Sequence, residues 1–332
     1  MKKQRIKLSI IIPVFRVEKY LKKCIDALID QLQPCVEIIL VDDGSDDYCP
    51  IICDEYSKRY KEIKTIHKKN GGLSSAVKEG ISYSTGEYIG FCDSDDWVEK
   101  DYIKEIIKVI DENDIDVIYF DYFRVYESSK KIVLNRNNLI TPGKYEGETC
   151  ELLKRLYLRG IPPMRWNKVI KRELVEHSLK YYDLRSRIGE DILFTAPIIY
   201  SMNTFYYIDK VLINYNINEA SMTQNFDKSY LDDFNLIVKV LSEYFNKDMS
   251  FLGNINYINM RTFINAVGKS TLQNKWSYLK SIFGKQEMKD RLNWVNKDEL
   301  SMKDKVLLYF MKKNYCSILL FISFVYRKLY SR

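Results

Sequence analysis

The first third of the chain alternates between short, unbroken apolar runs and stretches in which apolar residues recur every three or four positions. LSIIIPVF (from Leu8), VEIILVDD (from Val36), IKTIHK (from Ile63) and EYIGFCD (from Glu87) each read as a buried strand. Between them, the stretch from Glu18 to Gln33 carries Tyr20, Leu21, Cys24, Ile25, Leu28, Ile29 and Leu32 at helical spacing. Ile51 to Tyr60 is a second amphipathic helix, and NGGLSSAVKEGISYS supplies a glycine turn and a third, with Ser74 or Ser75 as its N-cap. This alternation predicts an α/β fold with a mostly parallel central sheet and helices on both faces. Ligands of such sheets gather outside the carboxyl ends of the strands. Three of those ends read Pro13-Val14-Phe15, Asp42-Asp43-Gly44-Ser45 and Asp93-Ser94-Asp95-Asp96.

Composition narrows the chemistry. At 332 residues, with charge well mixed, the chain is globular and long enough for two or three structural units. Seven cysteines form no C-x2-C pair, which favours free thiols in a reducing compartment, and His67 and His177 are too few for a zinc site or a Ser-His-Asp triad. The apolar run after MKKQRIK is too short for a signal-peptide core. The net charge of +7 is uneven: from Ser281 to Arg332 there are eleven Lys/Arg against five Asp/Glu. These basic residues are not interleaved on a recognisable module, so no nucleic-acid partner is expected.

The acidic stretch FCDSDDWVEKDY is the strongest local signal. Like charges this close repel and raise one another's pKa, so the cluster is stable only in water or around a cation. The bland alternative is a solvated loop in which Asp96 caps a helix beginning near Val98. Two acidic strand ends in one sheet, with no cationic run beside them, favour a shared site. Carboxylate oxygens suit Mg or Mn, and such an ion can grip a diphosphate. Neither a G-x-G-x-x-G after the first strand nor a G-x-x-x-x-G-K-[ST] is present, so neither a dinucleotide fold nor a P-loop is supported.

SIIIPVF, VEKYLKKCIDALIDQ, VEIILVDDGSDD, NGGLSSA, TGEYIGFCDSDDW, WNKVIKREL, GEDILFT and INYNINEASMT follow one another in order. With these eight segments, residues 8 to about 225 resemble a family 2 glycosyltransferase of the GT-A fold. The closest subgroup is that of bacterial enzymes building capsule, exopolysaccharide or cell-wall glycans. The resemblance implies a Rossmann-like catalytic domain over residues 1–225, with a nucleotide-binding half, 1–125, and an acceptor half, 126–225.

It also implies an inverting, metal-dependent transfer from a nucleotide-diphosphate sugar, a UDP-sugar foremost, to a hydroxyl of a lipid-linked or polysaccharide acceptor. Asp93-Ser94-Asp95 resembles the D-x-D motif. Asp95 is then the first metal ligand, for Mn2+ or Mg2+, with Asp96 a second and Asp93 facing ribose or metal. Asp43 and Asp42 match the acidic residues that read uracil, and Phe15 the ring beside the base. Pro13, Glu18, Asn70, Gly71 and Ser74 complete the donor side. Asp191 matches the general base, with Glu190 positioning. Trp166, Asn167 and Lys168 match the sugar and acceptor side, and Tyr215, Ser221 and Thr223 a loop closing over the diphosphate. The competing structural readings are a capping turn for Asp42 and Asp43, core packing for Phe15 and Trp166, and helix N-terminal charge for Glu190 and Asp191. Three positions depart from the family: Arg16 stands where Asn is common, and Val77 and Asn216 where Arg is.

From about Phe226 the resemblance fades into a helical region, 226–332. Its end, from Tyr315 to Tyr326, is uncharged and flanked by Lys312-Lys313 and Arg327-Lys328, too short to span a bilayer. A helix lying on the membrane surface and a helix packed on the catalytic domain or in a homo-oligomer are the two readings. A membrane-surface helix would place the protein in the cytoplasm at the inner face of the membrane. Beside the transferase stand two other classes: a non-catalytic nucleotide-sugar-binding partner, and a nucleotidyltransferase, which PVFRVEKYL does not support because it lacks a glycine-rich, basic signature.

Overall fold

The computed structural model describes residues 5–126, 129–155, 157, 161–182, 189–217, 230–245, 248–269, 274–300 and 302–330. The chain forms two compact units, residues 1–218 and 219–332. The expected boundary near residue 225 lies outside the described residues.

The first unit is built on one ten-stranded sheet. Strands β1 (Leu8–Val14), β2 (Val36–Asp42), β3 (Ile63–His67) and β4 (Tyr88–Phe91) alternate with helices α1 (Glu18–Ile29), α2 (Cys49–Arg59) and α3 (Leu73–Tyr83). They pair in parallel in the order β3-β2-β1-β4. Every residue of β1 and β2 is buried, which is why both read as unbroken apolar runs. Each large apolar side chain so buried contributes roughly 1.5–3 kcal/mol. Helix α3 lies close on β1 because Gly80 has no side chain: a Cβ there would sit 2.5 Å from Ile11 Cγ2.

Beyond β4 the sheet is mixed. β9 (Lys168–Lys171) runs antiparallel between β4 and β6 (Val117–Tyr126), and β6 pairs in parallel with the thirteen-residue β10 (Thr204–Asn216). β10 also holds the two-residue β5 (Trp97–Val98) and β8 (Gly143–Glu146), while β7 (Lys131–Asn135) pairs with β6. Helices α4 (Tyr102–Glu112), α5 (Glu148–Arg155), α6 (Arg172–Ser178) and α7 (Glu190–Ser201) complete the unit.

Two local expectations are corrected. The N-cap of α3 is Gly72, at φ 83°, a left-handed value that favours glycine, not Ser74 or Ser75. Asp96 does not cap a helix: the chain after it enters β5, and α4 begins only at Tyr102.

The second unit is helical: α8 (Tyr230–Tyr244), α9 (Met249–Lys269), α10 (Lys275–Phe283), α11 (Gln286–Asn293), α12 (Met302–Lys312) and α13 (Cys316–Tyr330). Its core includes Phe245, Leu252, Phe263 and Leu279. None of the helices among the described residues is long and apolar enough to cross a membrane. All seven cysteines are buried and free.

Candidate active site

The loop after β2 is held together by its own carboxylates. Asp42 Oδ1 accepts from the Ser45 amide at 3.0 Å, and Oδ2 lies 2.9 Å from His67 Nδ1. The other ring nitrogen of His67 lies 3.1 Å from Asp54 Oδ1. The hydrogen bond to Asp42, helped by Asp54, raises the His67 pKa above its usual value. Asp43 accepts from the Gly71 and Gly72 amides, at 2.9 and 2.7 Å, and from Lys68 Nζ at 2.6 Å. Asn70 Nδ2 donates back to the Asp43 carbonyl at 2.9 Å. Neither carboxylate caps a helix: Asp42 closes a turn within its own loop, and Asp43 ties that loop to the one after β3. At the same strand-end face Phe15 is 40% exposed, while Pro13 ends inside β1. Glu18 accepts from the Tyr48 amide at 2.8 Å, tying α1 to α2. Ser74 is buried on α3. Of the three departures, Val77 is buried on α3 and Asn216 on β10, whereas Arg16 turns outward in a fork onto Asp46, at 2.6 and 2.8 Å.

The loop after β4 is different. Asp93 and Asp95 are partly exposed, and Ser94 and Asp96 are buried. Asp96 Oδ1 accepts the Asn216 amide at 2.8 Å, but among the described residues Oδ2 has no partner, nor do the two amide atoms of the Asn216 side chain. Burial, with Asp93 and Asp95 nearby, pushes the Asp96 carboxyl well above its ordinary range. Burial likewise raises Asp93 to about 6, against the opposing pull of Arg165.

Arg165 is the centre of the site. It is 1% exposed, and its guanidinium donates to Asp191 at 2.5 Å and to Asp93 at 3.4 Å, with Glu190 at 3.8 Å. Burial opposes its charge, but Asp191 and Asp93 outweigh that and hold its pKa raised. Glu190 and Asp191 open α7 after Gly189, whose φ of 78° turns the chain into the helix. Burial and the Asp191 charge lift Glu190 to about 7. One guanidinium thus joins the acidic loop of β4 to the acidic start of α7. The absence of a cation beside the acidic cluster, as read from the sequence, is corrected here: the cation arrives from 72 residues downstream. A lone arginine before an aromatic residue carries no local signal of that pairing.

Trp166, Asn167 and Lys168 are buried. Trp166 stacks on Tyr215, centroids 5.1 Å apart, and meets Tyr122 edge-on at 4.7 Å. Lys168 Nζ donates to the carbonyls of Pro162 and Met164, at 2.6 and 2.7 Å, and to Asn167 Oδ1 at 2.8 Å. Burial pushes its pKa down to about 7. These three residues fix the backbone that delivers Arg165. Ser221 and Thr223 lie outside the described residues.

Among the described residues no three His, Cys, Asp or Glu side chains are placed to hold a metal ion by themselves. The donor set nevertheless fits an ion shared with substrate: Mg2+ is commonly held by one or two carboxylates plus phosphate oxygens and water. The partly exposed Asp95 and the unpartnered Asp96 oxygen are carboxylates of that kind.

A parallel strand half joined to a mixed half, with acidic groups at the strand ends, is the arrangement of the GT-A fold. The model of the family described as glycosyl transferase family 2 matches residues 9–177, just over half of the chain, and the chain belongs to that family. It is 32% identical over 228 residues to the uncharacterized glycosyltransferase EpsJ of Bacillus subtilis, covering 68% of this chain and 65% of EpsJ. Over 219 residues it is 29% identical to the minor teichoic acid biosynthesis protein GgaB of the same organism, covering 64% of this chain and 23% of GgaB. The chain thus spans less than two thirds of either relative. Among solved structures, S. aureus TarS 1-349 in complex with UDP-GlcNAc superposes with a TM-score of 0.71 at 20% identity, over 97% of this chain and 92% of that one.

Proposed function

We propose that the protein is an inverting glycosyltransferase that moves a sugar from a UDP-sugar to a hydroxyl of a lipid-linked or polysaccharide acceptor during surface-glycan assembly. Residues 1–125 would serve as the nucleotide half and 126–225 as the acceptor half, with the work done in the cytoplasm at the inner membrane face. One observation carries this reading: Arg165 brings Asp93 at the donor-side strand end and Asp191 at the start of α7 onto one guanidinium. Asp191 Oδ1 is engaged by Arg165, and Oδ2 is the oxygen assigned to take the acceptor proton. As that proton leaves, the acceptor oxygen bonds to the anomeric carbon, the bond to the donor phosphate breaks, and the nucleoside diphosphate departs with the electron pair. A single displacement inverts the carbon, so an α-linked donor gives a β-linked product.

Glu190 positions α7 through Arg165. Phe15, exposed beside the Asp42–Asp43 loop, offers its ring to the base, and Asn70 and Gly71 fix the shape of that loop. Mn2+ or Mg2+ held by Asp95, with Asp96 second, would neutralise charge on the leaving diphosphate. Support for a UDP-sugar comes from TarS, whose related fold was solved with UDP-GlcNAc. Support for a surface-glycan acceptor comes from the resemblance to GgaB.

The alternative is a non-catalytic nucleotide-sugar-binding partner, to which Val77 and Asn216, standing where the family commonly has arginine, point. Calorimetry of UDP with and without Mn2+, on the wild type and on Asp95→Asn, tests the donor site. Metal-dependent binding that Asp95→Asn abolishes is the expected result. No UDP binding under any condition overturns the UDP reading.

A further inference from the structure

The second unit carries an apolar face that its own core does not use. On α12, Leu307, Leu308 and Met311 are buried. Met302, Val306 and Tyr309 recur at helical spacing on the opposite side and are exposed, Met302 at 75%. A helix apolar on two opposite sides ordinarily has a second apolar medium to meet. The pattern continues on α13, where Cys316 and Leu319 are buried and Ile318 and Phe321 point away from them, Phe321 at 66% exposure. The two helices join at a turn where Asn314 Nδ2 donates to the Lys280 carbonyl of α10 at 3.4 Å. One turn back on α10, the exposed Trp276 ring lies 4.7 Å under Lys280 Nζ.

Positive charge dominates around this face, and the Asp304 carboxylate of α12 is engaged by Tyr257 and Arg261. Lys305 and Lys312 fall along one edge of the α12 stripe, Lys303 along the other and Lys313 at its end. After Asp304 the chain contains no acidic residue, and six Lys or Arg follow. Burial and the neighbouring Lys297 lower the Lys312 pKa, as crowded ammonium groups do.

We infer that the outer face of α12 and α13 docks on an anionic lipid bilayer, its aromatic and aliphatic side chains entering the headgroup boundary and its lysines meeting the phosphates. Apolar, aromatic and lysine residues on one helix face are what an interfacial helix needs. No helix among the described residues can span, so the contact is a surface one. A second copy of this chain fits less well, because it would bring the same unbalanced positive charge against itself. The docking does not depend on which reaction the first unit performs.

The test is co-sedimentation of the full purified chain with vesicles of phosphatidylglycerol and of phosphatidylcholine, with light scattering of the free protein alongside. Partitioning is expected on phosphatidylglycerol only and to weaken with salt. The Lys312→Ser/Lys313→Ser double variant should lose about fivefold per lysine. Phe321→Ser should lose about tenfold, while Lys58→Ser/Lys61→Ser, on the first unit, should lose nothing. All of these positions are solvent-facing or half-buried, and unchanged melting temperatures would establish folding. Equal binding to both lipids, or losses no greater in the α12 and α13 variants than in the control, overturns the inference. An oligomer that Phe321→Ser dissociates, without vesicle binding, assigns the face to a second copy and overturns it as well.

Discussion

The two acidic strand ends of the sheet look alike in sequence and differ in how their charge is met. After β2, Asp42 and Asp43 are buried but supplied with amide donors, a histidine and a lysine. After β4, a buried carboxylate oxygen of Asp96 has no donor among the described residues, and Asp93 shares one guanidinium with Asp191 and Glu190. A well-supplied acidic loop holds its shape without a ligand. An under-supplied one is ready for an added cation or a substrate hydroxyl, because its charge is only partly met.

The largest effect should come from Asp191→Asn. It removes the proposed proton acceptor and should lower turnover about 10²–10⁴-fold while UDP still binds, read by product formation and calorimetry on the same sample. Unchanged turnover would hand the base to another group. Next, Arg165→Met strands the carboxylates it joins, a loss of about 3–5 kcal/mol by analogy with broken buried ion pairs, measured by urea unfolding. A loss no larger than that of an ordinary surface substitution would erase the contrast between the loops.

In the satisfied loop, Asp43→Asn should cost about 2 kcal/mol by the same measurement, since it weakens charge-assisted bonds to two amides and Lys68. The smallest effect is a pH slope. The folded value of Glu190, about 7, lies above its ordinary 4.5, so the stability tied to its proton is complete below 4.5 and lost as pH rises through about 7. Relative to Glu190→Gln, the wild type should therefore lose about 2 kcal/mol between pH 5 and pH 8. Parallel slopes for the two proteins would mean that Glu190 is not held protonated.

What could be read from the sequence was what repeats locally. The all-buried β1 and β2 declare themselves as apolar runs, and α1 by its periodicity, though it ends at Ile29 and not Gln33. The family 2 resemblance brought Asp93, Glu190 and Asp191 onto one list. It did not reveal Arg165, because pairing across 72 residues of chain leaves no spacing to recognise. Nor did local pattern reveal that Asp42 and Asp43 are already supplied, since their partners His67, Lys68, Gly71 and Gly72 lie at the end of the next strand and after it. Two-residue β5 is too short for periodicity and exists only because β10 pairs with it.

That last dependence bears on the order in which the molecule is made. Asp96 is fixed by the amide of Asn216, a contact spanning 120 residues, and β5 by Ile213 and Asn214. A nascent chain can complete the parallel half, through β4, from its first hundred residues. The acidic loop stays without these partners until β10 has been synthesised and has found its place beside β6. Long-range closure of this kind is slow relative to local structure. The acidic loop therefore reaches its final arrangement late in synthesis, and a ribosome stalled before β10 would carry the parallel half without it.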